Sequence, residues 1–341
     1  MSALRTEHDA LLLDLDGTVY QGDRAVPGAV DVLADSRQRL CYVTNNASRS
    51  PADVVVKLEG LGFAASLAAV VTSSQSAARM LVERLPPRSR VLVVGTSALV
   101  EEVEGVGLVA VREAEDDPAA VVHGHSPDTG WRELAEATVA VRAGALWVAT
   151  NTDPTLPSER GLLPGNGSMV GVVALATGRQ PLVAGKPARP IMDDALARSG
   201  SERPLVVGDR LDTDIAGAHT VGARSLLVLT GVSTAADLIG ARPEQRPDLV
   251  APDLGGLDRP AAELALGAAV PGWTATAQDG VLVIRRTGGQ QTASTPPGLA
   301  ALRAACHFAW GSTEPDGGWR VRCADADAAA DLERWGLSTP V

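Results

Sequence analysis

The chain has 341 residues, of which 45% are hydrophobic, so it can bury the cores of two or three domains. Its formal net charge of −11 at pH 7 opposes sequence-independent binding to nucleic acid, because the phosphates of nucleic acid are negative as well. Three cysteines are too few for a disulfide framework, and no apolar run approaches the roughly 20 residues of a membrane span. Because residues 1–8 are too polar for a signal peptide, we predict a cytoplasmic protein.

The first predicted strand, Ala10–Leu13, runs directly into two carboxylates. Asp14 and Asp16 follow this apolar run at the point where a buried strand would end. An aspartate in that position can attack phosphorus and bind Mg²⁺, and a second aspartate two residues later can transfer protons. Gly17 allows the backbone to turn, and the Thr18 hydroxyl can donate to a phosphate oxygen. The pattern therefore favours phosphoryl chemistry.

The same aspartates and glycine could also begin a calcium loop of the EF-hand type. Such a loop has glycine at position six and a bidentate glutamate at position twelve. Counted from Asp14, these positions hold Val19 and Ala25, so the calcium loop is excluded. A strand-end turn with two solvated carboxylates stays open for this stretch taken alone.

The next polar cluster follows a hydrophobic run that ends at Val43. Thr44, Asn45 and Asn46 place one hydroxyl and two amides at the end of a predicted strand, where they can bind a phosphate. The same residue types also form ordinary turns, and this alternative stays open for the cluster taken alone. Ser50 then predicts the N-cap of a helix whose first residue is a proline.

Helix and strand patterns alternate as far as residue 150. The apolar spacing predicts helices over residues 27–39, 51–61, 75–84, 97–103 and 131–142, and strands over residues 70–72, 91–94, 119–122 and 146–150. The elements from residue 91 onward form a set of their own, which predicts a second α/β domain. His123 and His125 alternate at the end of one strand, and we interpret them as polar loop residues rather than metal ligands.

Two further groups carry charge at the ends of predicted strands. Lys186 lies between a predicted strand and a predicted helix. Because almost all other basic residues of the chain are arginine, a lysine here indicates a site that requires a compact ammonium group rather than a planar guanidinium. Pro187 stands where a nucleotide P-loop requires Ser or Thr, so that motif is excluded.

Asp209 and Asp214 follow a buried-strand pattern and predict a site for a hard cation, although helix capping also accounts for acids there. We interpret Asp212, between them, as a solvent-facing or capping residue.

Taken in order, these stretches resemble the four motifs of the haloacid dehalogenase-like (HAD) phosphatases. The resemblance implies that Asp14 is the nucleophile and Asp16 the acid/base, and that Mg²⁺ is bound by Asp14, the Asp16 carbonyl and Asp209. Asp214 would support this metal site. Phosphate would be bound by Thr44, Asn45, Asn46 and Lys186.

The resemblance also implies the fold and the branch of the family. Residues 148–171 resemble subfamily IIA, whose members carry a C2 cap and include 4-nitrophenylphosphatase-like, phosphoglycolate, glycerol-3-phosphate and pyridoxal phosphatases. We therefore expect an α/β protein with a Rossmann-like HAD core, residues 1–79 and 181–258, and an inserted α/β C2 cap, residues 80–180. The cap contains two aromatic residues, Trp131 and Trp147, which favours a small aliphatic phosphate ester as the substrate.

Among these esters we predict glycerol 3-phosphate, with 2-phosphoglycolate, pyridoxal phosphate and nucleotides as alternatives. A phosphotransferase and a non-enzymatic binding module stay open as other functions. No nucleic acid partner is expected, and homo-oligomerisation is left open.

Residues 259–341 lie outside the HAD resemblance. They predict a helix over 261–268, a hairpin around Asp279, a helix over 298–310, a strand over 319–323 and a helix over 326–335. Four of the six tryptophans fall here, which predicts a packed accessory domain. The order of elements faintly resembles part of an acetyltransferase-like (GNAT) fold. Because no glycine-rich pyrophosphate loop is found, a role in packing, oligomerisation or ligand sensing is preferred to catalysis.

Overall fold

The structure, a computed structural model, describes residues 2–158, 160–288, 296–313, 315 and 318–337. Its strands are, in chain order, β1 (Ala10–Leu13), β2 (Tyr20–Gln21), β3 (Arg24–Ala25), β4 (Arg39–Thr44), β5 (Val70–Thr72), β6 (Arg90–Val94), β7 (Val109–Val111), β8 (Ala120–His123), β9 (Leu146–Ala149), β10 (Thr155–Ser158), β11 (Gly161–Pro164), β12 (Leu182–Val183), β13 (Pro204–Gly208), β14 (Arg224–Val228), β15 (Leu249–Ala251), β16 (Trp273–Gln278), β17 (Val281–Arg286) and β18 (Arg320–Cys323).

Its helices are α1 (Ala29–Ala34), α2 (Pro51–Gly60), α3 (Ser73–Val82), α4 (Ser97–Gly105), α5 (Trp131–Ala143), α6 (Asn166–Thr177), α7 (Arg189–Ser199), α8 (Ala216–Val221), α9 (Ala235–Ile239), α10 (Ala261–Leu264), α11 (Leu299–Trp310) and α12 (Ala326–Glu333). No helix in these ranges combines the length and the apolar character that crossing a bilayer requires. The elements form two compact units, Met1–Arg39 with Ser201–Val341, and Leu40–Gly200.

The first unit contains parallel strands in the order β15, β14, β13, β1. They are rich in valine, leucine and alanine and buried on both faces, as is typical of a parallel sheet covered on both sides. Leu13 pairs with Val207, so β1 and β13 end at the same level. Residues that follow these strands therefore lie side by side at the carboxyl edge, where open α/β sheets place their sites.

The C-terminal part of this unit has a sheet of its own. Strands β16 and β17 form an antiparallel hairpin, β18 pairs with β17 in parallel, and α11 and α12 pack against the sheet. The predicted hairpin, the strand and the last two helices are confirmed, with ends shifted by one or two residues. The helix predicted over 261–268 is wrong in length. It ends at Leu264 because Ala265 leaves the helix and forms an antiparallel bridge with Leu249.

The second unit contains five parallel strands in the order β12, β9, β8, β6, β7, and β4 pairs with β5, also in parallel. Apolar clusters cover both faces of the five-stranded sheet. One includes Leu81 of α3 and Leu99 of α4, and the other includes Val141 of α5 and Val173 of α6. The fold class predicted from the sequence, α/β with a separate small C-terminal domain, is confirmed. The domain boundaries at residues 80, 180 and 258 stay a prediction.

Two details of the chain differ from expectation. The helix predicted over 27–39 is wrong in length, because Gly28 precedes α1 with a positive φ, the helix ends before Asp35, and β4 begins at Arg39. Strand β7 and the hairpin β10–β11 were not predicted. In the hairpin, prolines interrupt the strand pattern and the apolar side chains of Leu162 and Leu163 are exposed.

Candidate active site

Three carboxylates meet at the carboxyl edge of the parallel strands of the first unit. One oxygen each from Asp14, Asp209 and Asp214 lies within 4.8 Å of the other two. The pairing of β1 with β13 brings the first two together, and the Asp14 amide donates to the Val207 carbonyl at 2.9 Å. Asp209 and Asp214 are buried and Asp14 is half-buried. Three carboxylate oxygens at this spacing are the donor set that Mg²⁺ and Ca²⁺ prefer.

Asp209 is fixed from several sides. The Val232 amide donates to its Oδ2 at 2.6 Å, and the Thr18 hydroxyl lies 3.4 Å from its Oδ1. A Cβ at Gly17 or at Gly231 would overlap this carboxylate, so both positions require glycine. Gly17 also has a φ of 95°, in the left-handed region that glycine favours. The carboxylate therefore has little freedom to rotate away from its neighbours.

Asp214 reaches the cluster through a π-helical turn, Leu211–Ile215, inserted before α8. Such single turns are frequent at functional sites because the extra residue redirects a side chain. The Arg210 amide donates to the Asp214 Oδ2 at 3.1 Å. Asp212 lies on the exposed side of the same turn, where its carboxylate pairs with the Arg210 guanidinium at 2.8 Å. The solvent-facing position predicted for Asp212 is confirmed.

Asp16 lies in the turn after β1, outside the group of three carboxylates. Its side chain is exposed, and the turn is closed by the Gly17 amide, which donates to the Tyr20 carbonyl at 2.7 Å. The exposed position of the Asp16 carboxylate suits a group that exchanges protons with water, and the neighbouring Asp14 is half-buried.

In the second unit, Val43 of β4 and Asn45 after it are hydrogen-bonded to Lys186. Thr44 and Lys186 are both buried, and the Lys186 ammonium donates to the Val43 carbonyl at 2.9 Å. The Thr44 hydroxyl accepts from the Asn46 amide at 3.1 Å. The Asn46 side chain in turn accepts from the Ser48 amide at 2.9 Å and closes a local turn. The predicted N-cap at Ser50 is confirmed by a reciprocal capping box with Asp53.

Asn45 clamps the backbone of Lys186, a role that was not predicted. Its side-chain oxygen accepts from the Lys186 amide at 2.7 Å, and its side-chain nitrogen donates to the Lys186 carbonyl at 2.9 Å. The same nitrogen donates to the Asp153 carboxylate at 3.1 Å. No local signal could reveal this clamp, because the two partners are 141 residues apart in the sequence. Through these contacts Asn45 orients the chain that carries the ammonium.

His123 ends β8 and is completely buried, and neither ring nitrogen has a hydrogen-bond partner among the described residues. Desolvation lowers its pKa to about 4. The interpretation of His123 as a polar loop residue is wrong, because it belongs to β8 and is buried, whereas His125 does lie in the loop after β8.

We expect His123 to make the protein less stable in mild acid. The unfolded chain takes up a proton below a pKa of 6.5, but the folded chain does so only near pH 4. Stability is therefore complete above pH 6.5 and falls by about 3 kcal/mol as the pH decreases to 4. Urea titrations of His123→Leu should show a smaller loss between pH 7 and 4.5 than the wild type. The exposed His219→Asn serves as the control, and an unchanged acid loss in His123→Leu would contradict this prediction.

The site motifs coincide with two family models. Residues 11–109 match the model described as haloacid dehalogenase-like hydrolase, and residues 183–257 match a HAD-hydrolase-like model. A D-glycerol 3-phosphate phosphatase from Mycobacterium tuberculosis is 49% identical over 341 residues, which cover 99% of this chain and 96% of the relative. The chain belongs to the haloacid dehalogenase-like hydrolases. The family and the class of enzyme predicted from the sequence are confirmed.

Solved structures of this hydrolase family agree with the fold. The glycerol phosphate phosphatase from M. tuberculosis in complex with magnesium has a TM-score of 0.91 at 49% identity and covers 99% of this chain and 100% of its own. The 4-nitrophenylphosphatase from Thermotoga maritima has a TM-score of 0.70 at 34% identity and covers 76% of this chain and 99% of its own. Residues 270–337 match the model of a GCN5-related N-acetyltransferase-like domain, so the resemblance predicted for the C-terminal domain is confirmed.

Proposed function

We propose that this hydrolase is a Mg²⁺-dependent phosphatase that converts glycerol 3-phosphate and water into glycerol and phosphate. The observation that carries the chemistry is the group of three carboxylates formed by Asp14 and Asp209, which follow adjacent strands, and by Asp214 on the turn after Asp209. The similarity to a D-glycerol 3-phosphate phosphatase along almost the entire chain supports the substrate.

The donor set fits Mg²⁺. Carboxylate oxygens are its preferred protein ligands, and we assign it to Asp14, Asp209 and the Asp16 carbonyl, with Asp214 in support. When bound there, Mg²⁺ would neutralise negative charge on the phosphoryl group and so lower the cost of bringing a carboxylate close to it.

Asp14 and Asp16 divide the chemistry between them. An Asp14 carboxylate oxygen attacks phosphorus while the bond from phosphorus to the ester oxygen breaks, and Asp16 donates a proton to the departing glycerol oxygen. The result is an aspartyl-phosphate. Asp16 then takes a proton from water, whose oxygen attacks the same phosphorus and releases phosphate from Asp14. The half-buried position of Asp14 and the exposed position of Asp16 support this division.

We propose that Thr44 and Lys186 bind the phosphoryl oxygens, and that Asn45 and Asn46 belong to the phosphate site by orienting these two residues. Lys186 is the residue that supplies positive charge, and its burial makes that charge effective because less water screens it. Asn45 contributes by holding the Lys186 backbone on both sides. Asn46 contributes by ordering the turn after Thr44.

The aromatic residues of the predicted cap support a small, non-aromatic leaving group. Trp147 is buried in the apolar cluster beneath α5, and Trp131 is 84% exposed at the start of that helix. A buried core tryptophan has no free face for a flat ring. A ligand such as pyridoxal phosphate would gain most from aromatic stacking, which Trp147 does not supply.

A cytoplasmic location is part of this proposal. Cys41, Cys306 and Cys323 are all free thiols and all buried, as expected of a protein that stays in a reducing compartment.

The test is release of inorganic phosphate from a panel of esters in the presence of Mg²⁺. We expect kcat/KM for glycerol 3-phosphate to exceed that for 2-phosphoglycolate, pyridoxal phosphate and nucleoside monophosphates by at least about tenfold. A higher value for any of these esters would refute the substrate assignment. Appearance of the phosphoryl group on an added alcohol or sugar, rather than as free phosphate, would instead identify a phosphotransferase.

A further inference from the structure

One face of α11 attaches the C-terminal domain to the rest of the first unit. Arg303, His307 and Trp310 lie on this face, at the helical spacing i, i+4, i+7. The Arg303 guanidinium donates to the Glu263 and Ala265 carbonyls at 2.8 and 2.7 Å, and the His307 ring lies 2.9 Å from a further backbone carbonyl. Helix α11 is thus held by specific hydrogen bonds to backbone carbonyls of the segment that precedes β16.

Trp310 connects this face to α9. Its indole nitrogen donates to the Leu238 carbonyl at 3.1 Å. The Arg246 guanidinium lies 5.2 Å from the centre of the Trp310 ring and also donates to the Trp310 carbonyl at 3.3 Å. Trp310 is therefore engaged by its ring, its ring nitrogen and its backbone, and each of these contacts involves α9 or the loop after it.

Helix α9 follows directly after the loop that fixes Asp209. In this loop, Val232 donates its amide to the Asp209 side chain at 2.6 Å, and Ser233 donates its amide to the Asp209 carbonyl at 3.1 Å. The Thr230 hydroxyl donates to the Gly17 carbonyl at 2.5 Å, next to Asp16. Only Thr234, the N-cap of α9, separates the loop from the helix.

We propose that Trp310 is a positioning residue for the metal site, and that docking of the C-terminal domain on α9 sets the affinity for Mg²⁺. Helix α9 has five residues and its Leu238 and Ile239 are buried, so a displacement at its end is passed to the loop rather than absorbed along a long helix. A shifted loop changes the hydrogen bond from Val232 and thereby the orientation of Asp209. This inference rests on the proposed function, in which Asp209 binds Mg²⁺.

The test measures the Kd for Mg²⁺ by isothermal titration calorimetry on the full-length protein, without substrate. Trp310→Phe removes the hydrogen bond to Leu238 but keeps an aromatic ring, and Trp310→Ala removes the ring as well. We expect Kd to rise about threefold and about tenfold, respectively. Trp335→Phe is the matched control, because its indole nitrogen has no hydrogen-bond partner among the described residues and its Kd should stay at the wild-type value.

A second measurement follows the loop itself. Hydrogen exchange at the Val232 amide should become faster in both Trp310 variants and stay unchanged in Trp335→Phe, a response that a general loss of stability would not confine to this loop. Trp310→Phe keeps the test valid if Trp310→Ala does not fold.

Asp209→Asn separates the two proposals. If this variant binds Mg²⁺ as the wild type does, the proposed metal site is wrong. If Asp209→Asn loses binding while the folded Trp310 variants keep the wild-type Kd and the wild-type exchange at Val232, the metal site stands and the positioning role of Trp310 is overturned.

Discussion

Asp14→Asn protein is expected to lose phosphatase activity by at least about 10⁴-fold in kcat, because an amide oxygen does not attack phosphorus at neutral pH. The substitution keeps the size of the side chain, so the fold should survive. It also removes one of the three negative charges of the metal-ligand group, which should weaken Mg²⁺ binding in addition to removing the proposed nucleophile. The measurement is phosphate release from glycerol 3-phosphate at saturating Mg²⁺.

Asp212→Asn is the matched control for this experiment. Asp212 is an exposed aspartate in the turn that carries Asp214, and its carboxylate pairs with Arg210 rather than joining the metal-ligand group. Activity within about twofold of the wild type is expected, since exposed ion pairs contribute little. Normal turnover by folded Asp14→Asn would show that another group attacks phosphorus.

Lys186→Met is expected to lower kcat/KM by about 10³-fold, because a buried ammonium stabilises the negative charge of a phosphoryl group much more strongly than an ammonium in water does. The chain has two lysines, and the other one, Lys57 on α2, provides the matched control. Lys57→Met makes the same chemical change without touching the residues around Val43, and should leave kcat/KM unchanged. Equal effects of the two substitutions on kcat/KM would show that Lys186 does not bind the phosphoryl group.

Asn45→Ala distinguishes the charge of Lys186 from its placement. The ammonium remains, but the hydrogen bonds that hold its backbone at 2.7 and 2.9 Å are lost. We expect a loss of about 10²-fold, smaller than that of Lys186→Met, as is typical when a catalytic group is misplaced rather than deleted. A loss as large as that of Lys186→Met would mean that Asn45 itself contacts the phosphoryl group.

The parts of this fold that depend on local patterns were predictable. Buried parallel strands such as Ala10–Leu13 are short apolar runs, and the residues that follow them are polar because the functional site lies at the carboxyl ends of the strands. The grouping of Asp14 with Asp209 also follows, because adjacent parallel strands end at one edge. The parts that depend on individual side-chain or backbone contacts between separate segments were not predictable. The clamp of Asn45 on Lys186 and the bridge that ends α10 at Leu264 both involve partners far away in the sequence.

The π-helical turn at Leu211–Ile215 shows a second kind of limit. The family resemblance implied that Asp214 supports the metal site, but it did not reveal that the turn that carries Asp214 departs from the 3.6-residue repeat of an ordinary helix. The inserted residue brings the Asp214 carboxylate into the same group as Asp14 and Asp209. Hydrophobic periodicity does not indicate such a local change in helical winding, so the position of the Asp214 side chain could not be predicted from the sequence.

The close approach of Gly17 and Gly231 to Asp209 has a consequence for the order in which the protein folds during translation. The segment with Gly17 leaves the ribosome early, whereas the segments with Asp209 and Gly231 follow only after the whole of the second unit has been made. Asp14 is therefore made long before Asp209 and Asp214, the other two carboxylates of its group. A Mg²⁺ ion that requires all three carboxylates would stabilise the chain only after Asp209 and Asp214 have been made, which is later than the synthesis of the second unit.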